Sequence, residues 1–207
     1  MTSPLPTSLP WPLDGDADLR DRLVAAYREP HRGYHDERHL AEVLAHLDLL
    51  LEVHPVHDPL AVRLAAWFHD AVYAGRAGED EEASAQWAET TLAELVPDET
   101  RAEVARLVRL TASHDPAPDD LPGAVLSDAD LAVLAADPER YADYRRGVRH
   151  EYAAVPADLF SAGRSAVLES LLAAPALFRT ATGRARWEDR ARANVAAELT
   201  ALAAVRP

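Results

Sequence analysis

Leu60-Ala61-Val62-Arg63-Leu64-Ala65-Ala66-Trp67-Phe68-His69-Asp70-Ala71-Val72 is the stretch that decides the fold. Asp58-Pro59 just before it supplies an N-cap and a proline at the first helical position, so a helix is predicted over about residues 58–72. The run is apolar nearly all the way round, which marks a buried central helix rather than one with a wet face. It ends in His69-Asp70. An imidazole and a carboxylate at that place are costly to desolvate unless something pairs them. A divalent cation satisfies both, because neutral imidazole and carboxylate are its natural ligands. The plainer alternative is a helix-terminal histidine bonded to backbone, with Asp70 in solvent.

Apolar residues recur at helical spacing on both sides of this run, and β-branched alternation is nearly absent, so the chain is predicted to be all-α. Helices are expected over about 17–27, from His35 or Asp36 through Leu51, and over 79–95, 99–113, 128–135, 138–155, 162–172 and 184–203. Gly75 to Gly78 break the pattern, and Pro116 to Pro122 form the one long loop. Residues 1–13 hold four prolines and no basic stretch, and read as an extended arm rather than a signal peptide. Residues 14–207 read as a single helical domain, long enough for a sizeable core.

Composition narrows the chemistry. There is no cysteine, so a metal must be held by His, Asp, Glu or water, and a cytoplasmic enzyme fits. All 21 basic residues are arginine, which removes Schiff-base lysine chemistry and the lysine-bearing phosphate loop. A net charge of −14 argues against wrapping nucleic acid, though a small anion remains possible where arginines line its pocket. No apolar run reaches the ~18 residues of a membrane span.

His-Asp occurs four times, at 35–36, 57–58, 69–70 and 114–115. His57-Asp58 reads as a loop and cap. His39, Val43, His46 and Leu50 share one helix stripe, so His39 points toward the core side. His114 follows Leu107 and Thr111 along a similar stripe. Ser127 and Asp130 have the spacing of a capping box, whereas Asp128 has only the helix dipole to explain it. Arg164 precedes Val167, Leu168 and Leu171 on an apolar face, as a buried ion-pair partner or as an anion ligand. Arg32 and Arg38 flank the first histidines, as phosphate ligands or as solvated side chains. Glu81 and Ser84 lie one turn apart, facing the site or lying on an outer face. His46 reads as a core histidine, and His31, His54, His57 and His150 as peripheral. The stripe Tyr141, Tyr144, Val148, Tyr152, Val155 reads as core packing.

Tyr34-His35-Asp36-Glu37-Arg38-His39, then Trp67-Phe68-His69-Asp70, then Ser127-Asp128-Ala129-Asp130-Leu131, resembles the H…HD…D signature of the HD superfamily. More closely, the chain resembles a bacterial family of predicted HD phosphohydrolases of about two hundred residues. Matching stretches include Glu81-Glu82-Ala83-Ser84-Ala85, Thr111-Ala112-Ser113-His114, Arg149-His150-Glu151-Tyr152 and Gly163-Arg164, so the likeness runs from about Tyr27 to Val195. It implies an HD-type helical bundle holding Mn, Co, Ni, Fe or Mg on His39, His69, Asp70 and one of Asp128 and Asp130, with Asp128 favoured. His35 is implied as a neighbour or extra ligand, with His114 available for a second metal. It further implies hydrolysis of a small phosphate ester or nucleotide by an activated water, with Asp70, His114, Glu81, Arg164, Arg32 and Arg38 as the catalytic set. Alternatives are a non-catalytic HD domain sensing a nucleotide or metal, and a di-iron HD oxygenase. A homodimer is possible. Asp80 and Ala135 depart from the expected asparagine and glycine.

Overall fold

The computed structural model describes residues 9–204. Among them every regular element is helical: α1 (Ala17–Tyr27), α2 (Glu37–Val53), α3 (Pro59–Phe68), α4 (Glu79–Thr91), α5 (Asp98–Leu110), α6 (Leu121–Leu131), a 3-10 turn (Ala132–Ala135), α7 (Pro138–Glu151), α8 (Ala157–Ala173) and α9 (Ala181–Ala204). The expected arm falls largely on residues 1–8, outside the described residues. Its remainder has no regular structure and lays Trp11 edge-on against Trp67, with a ring-centroid distance of 4.9 Å. No helix among the described residues is long and apolar enough to cross a membrane.

The central helix is α3. Ala61, Val62, Leu64, Ala65, Ala66, Trp67 and Phe68 are all fully buried, and the helix packs against α2, α4, α5 and α6. The Asp58 carboxylate accepts the Ala61 N–H at 2.9 Å and the Thr100 hydroxyl at 2.7 Å, so one cap also ties α3 to α5. A first core surrounds α3. A second lies under α7, α8 and α9, built on Leu168, Phe178, Ala191 and Val195. Trp187 touches both.

Two helix ends differ from expectation in ways that matter for the site. α3 stops at Phe68, four residues early, where the Asp70 N–H turns to the Tyr27 hydroxyl at 3.3 Å and the Val72 N–H to Ser84 Oγ at 3.0 Å in place of helical carbonyls. α6 begins at Leu121 rather than Asp128. Asp120 caps it by accepting the Gly123 N–H at 3.0 Å, so the expected 116–122 loop ends at Asp120 and residues 121–127 are helical. Ser127 is therefore a buried mid-helix residue and not a cap. Other ends shift as far without bearing on the site: α4 stops at Thr91 and α7 at Glu151, each four residues early, while α8 starts at Ala157, five residues before the expected 162.

The loop entering α2 lies directly on α7. A Cβ on Gly33 would stand 2.5 Å from the Gly147 carbonyl oxygen, closer than atoms pack, so glycine is required for this backbone contact. Through it the His35–His39 segment is set against α7.

Candidate metal centre

Four side chains from three parts of the chain converge where α2 meets the C-terminal ends of α3 and α6. His39 stands one turn into α2, whose start is fixed by Asp36 accepting the Arg38 and His39 N–H groups at 2.9 and 3.1 Å. Its Nε2 lies 3.1 Å from Nε2 of His69. Asp70 Oδ2 lies 3.0 Å from His69 Nε2 and 3.3 Å from His39 Nε2. Asp130 Oδ1 lies 3.2 Å from His39 Nε2 and 3.7 Å from His69 Nε2. Both imidazoles are 1% exposed.

The donor set fits a metal on three grounds. Nδ1 of His69 lies 2.8 Å from the Ala66 carbonyl oxygen, which only accepts, so Nδ1 carries the hydrogen and Nε2 is left as a bare donor. Asp70 Oδ2 is buried and, despite its short distances to both rings, has no hydrogen bond of proper geometry. The spacing suits too: adjacent donors at the ~2.1 Å of metal–nitrogen and metal–oxygen bonds stand roughly 3.0 Å apart. His39, His69 and Asp70 offer ligand atoms all within 4.8 Å of one another and can hold a metal ion.

The electrostatics agree. Burial resists charge on His39, yet Asp130 and Asp70 beside it push its pKa up to about 10. Burial likewise resists charge on His69, whose pKa the same two carboxylates raise. Burial opposes ionisation of Asp70 and Asp130 in turn, but the surrounding imidazoles hold both carboxyls below their ordinary value. Two buried carboxylates thus demand positive charge, from protons on the imidazoles or from a cation in their place.

Comparison with family models, characterised proteins and solved structures finds no match. The site must be read from its own atoms.

The structure settles where each expected site residue stands. Asp128, the favoured fourth ligand, is not in the cluster. Its carboxylate accepts the Arg179 N–H at 2.6 Å, and from Thr180 the N–H at 2.8 Å and the hydroxyl at 2.7 Å. It pins the segment before α9, and Asp130 is the aspartate beside the histidines. His114, in the left-handed region at φ 50°, lies with Nε2 3.5 Å from Asp130 Oδ2. Burial holds its pKa down. His35 stands at the cluster's edge, its Nδ1 2.9 Å from Glu151 Oε2 and its ring stacked on Tyr73 at 4.2 Å.

The arginines need larger corrections. Arg32 is fully buried and donates to the carbonyls of His35, Asp70 and Ala71 at 2.9, 2.7 and 3.1 Å. It is a brace under the His69-Asp70 turn and has no free face for phosphate. Arg38 pairs with Glu42 at 3.1 Å and Asp143 at 3.3 Å, outside the cavity described next. Arg164 borders that cavity but is the ion-pair partner: it grips Glu198 at 2.9 Å and the Tyr144 hydroxyl at 2.8 Å.

A cavity of about 530 Å3 opens from Asp70 and Asp130, with His35, His114 and Glu81 also on its wall. Glu81 closes the first turn of α4 by accepting the Gly78 N–H. Asp80, where asparagine was expected, holds the 74–76 turn by accepting the Ala74 and Arg76 N–H groups at 2.8 Å each. Ser84 is buried and ties α4 to Val72, not to the site.

Two residues escaped the sequence, one bonded to the wall from behind and one on it. Glu151 Oε1 accepts three consecutive backbone N–H groups, from Gly33, Tyr34 and His35, at 2.9, 2.7 and 2.9 Å. Its Oε2 takes His35 Nδ1 and the Tyr73 hydroxyl. It thereby sets the loop that carries His35, and these donors hold its carboxyl down to about 2 although burial works the other way. Arg76 is the second, a cavity-wall arginine whose own ion pair, with Glu79 at 3.3 Å, is exposed. A partner more than a hundred residues away leaves no spacing signal for Glu151, though its stretch was among those matching the family resemblance. Arg76 looks like any loop arginine in sequence.

Proposed function

We propose that this chain is a metal-dependent phosphohydrolase built on an HD-type helical bundle, cleaving a small phosphate ester with water. The observation that carries this is the convergence of two imidazoles and two carboxylates, His39, His69, Asp70 and Asp130, beside a cavity large enough for a ligand. A divalent cation bound there supplies Lewis acidity, making water a nucleophile near neutral pH and drawing charge from phosphorus. Mixed nitrogen and oxygen ligation suits Mn, Co, Ni or Fe.

The chain's own residues do the rest. Asp70 and Asp130 supply the negative charge that retains a cation in a buried place. His114 faces the outer oxygen of Asp130 and orients it. His35, fixed by Glu151 through Nδ1, keeps its second ring nitrogen for a proton. In the reaction a water oxygen bonds to phosphorus and the ester P–O bond breaks. The water's proton passes to a base on the wall, and the leaving oxygen takes one up. Arg76, the least committed guanidinium on the wall, meets the phosphate as it enters.

The test is hydrolysis of a panel of phosphate monoesters by the full chain. Activity should vanish with chelator and return with Mn²⁺ or Co²⁺, and Asp70→Asn should lower kcat by about two orders of magnitude or more with the helical signal intact. Full metal loading with no turnover on the panel would leave a metal-binding module and overturn the proposal.

A further inference from the structure

The cavity wall has two unlike parts. Besides the acidic and imidazole side chains it takes in residues of α7 and α8, among them a stripe at four-residue spacing on each helix. α7 gives Tyr144, Val148 and the cap residue Tyr152, and α8 gives Leu159, Gly163 and Val167. Residues four apart on a helix share a face, so these are two continuous ribbons and not scattered contacts. Leu159 and Val167, 61% and 54% exposed, are with Val53 the most exposed large apolar side chains among the described residues, and these two share one helix face on the cavity. Between them Gly163 keeps the slot open, since a Cβ there would find no heavy atom within 4 Å.

Resting on the phosphohydrolase proposal, we infer that the substrate is a phosphate monoester of an apolar alcohol, its phosphate at the His and Asp cluster and its apolar part between the α7 and α8 stripes. The polarity of the slot decides this against a sugar or nucleoside. Of the eight residues α7 and α8 put on the wall, these six with Phe160 and Arg164, only the two tyrosines and Arg164 carry a polar side-chain atom, and the Tyr144 hydroxyl already accepts from Arg164. A hydroxylated or nucleobase moiety there would lose its hydrogen bonds to water and find few in return. Arg164 brings no free charge, being paired with Glu198. The space, about 530 Å3, lies within the roughly 300–1,000 Å3 of pockets that enclose small organic ligands and exceeds what phosphate alone needs. Water adds its oxygen to phosphorus, the ester P–O bond breaks and the leaving oxygen gains a proton, so the products are inorganic phosphate and the apolar alcohol.

Octylphosphonate and methylphosphonate, which have no ester bond to cleave, separate this inference from the hydrolytic reading. Titrated calorimetrically into the Mn²⁺-loaded chain, octylphosphonate should bind more tightly, by about fourfold for each methylene that enters the slot. Gly163→Leu fills the slot at a site with open space and raises helix propensity, so it should fold, and should shrink the octyl-to-methyl ratio by about tenfold. Val167→Asp should shrink the ratio as well. Octyl phosphate should also be hydrolysed with higher kcat/KM than adenosine monophosphate. Equal affinity for the two phosphonates, or tighter binding of adenosine monophosphate than of octylphosphonate, overturns the inference. Chain-length-dependent binding without turnover of any ester upholds the apolar slot and sinks the hydrolase, whereas turnover indifferent to chain length does the reverse.

Discussion

Replacing Glu151 by alanine should cost more stability than any single change on the cavity wall it supports. Its carboxylate is 2% exposed and collects five donors: three backbone N–H groups at 2.7–2.9 Å, His35 Nδ1 at 2.9 Å and the Tyr73 hydroxyl at 3.1 Å. A hydrogen bond to a charged group contributes about 1.5–3 kcal/mol, but five sharing one carboxylate are not additive. Stripping the acceptor from buried donors typically costs about 3–5 kcal/mol, and we expect that range. For about 200 residues each kcal/mol moves Tm by about 2–4 °C, so the variant should melt about 10–15 °C lower at pH 7 by circular dichroism. The pH dependence is a second signature. The folded carboxyl is held at about 2 against an ordinary 4.5, so its stabilisation is complete above pH 4.5 and fades as pH falls toward 2. The gap between wild type and variant should therefore be widest at neutral pH and narrow below 4.5. A Tm within about 2 °C of wild type, or a gap that ignores pH, would refute the role given to Glu151.

Arg32→Ala should also destabilise, by about 3–5 kcal/mol, because it orphans three carbonyls under the His69-Asp70 turn; a phosphate ligand would instead raise KM and leave Tm unchanged, and thermal melts distinguish the two. Metal uptake should release protons, since His39 holds one up to about pH 10 without a cation. Calorimetry of Mn²⁺ binding in two buffers of different ionisation enthalpy counts them, and affinity should rise with pH; a count of zero would show that no imidazole proton is displaced.

Local signals carried the all-helical architecture and three of the four converging residues. The apolar run at 60–68 and the proline-led cap at Asp58 need no tertiary information. The His39 stripe and the His-Asp pair closing the buried run follow from the helical period alone. The fourth position failed because Asp128 and Asp130 are two residues apart near the end of one helix, and periodicity does not rank them without the helix start. That start is set by Asp120 and Pro122, inside what composition marks as a loop. Arg32 and Arg38 failed for another reason. Whether an arginine meets solvent, backbone carbonyls or a ligand depends on what folds over it, and the turn that covers Arg32 lies some forty residues away. Glu151, acting on residues 33–35 across the fold, is the extreme of the same limit.

The central claim is that His39, His69, Asp70 and Asp130 hold a divalent metal, and metal content measures it directly. Wild-type protein and His69→Ala, each incubated with Mn²⁺ or Co²⁺ and desalted, are compared by elemental analysis, with circular dichroism confirming that both are folded. The expected result is about one ion per chain in the wild type and close to none in the variant, which loses one of two imidazole donors from the shell. A folded His69→Ala variant with full occupancy, or a wild type that retains no metal under any of these conditions, would contradict it.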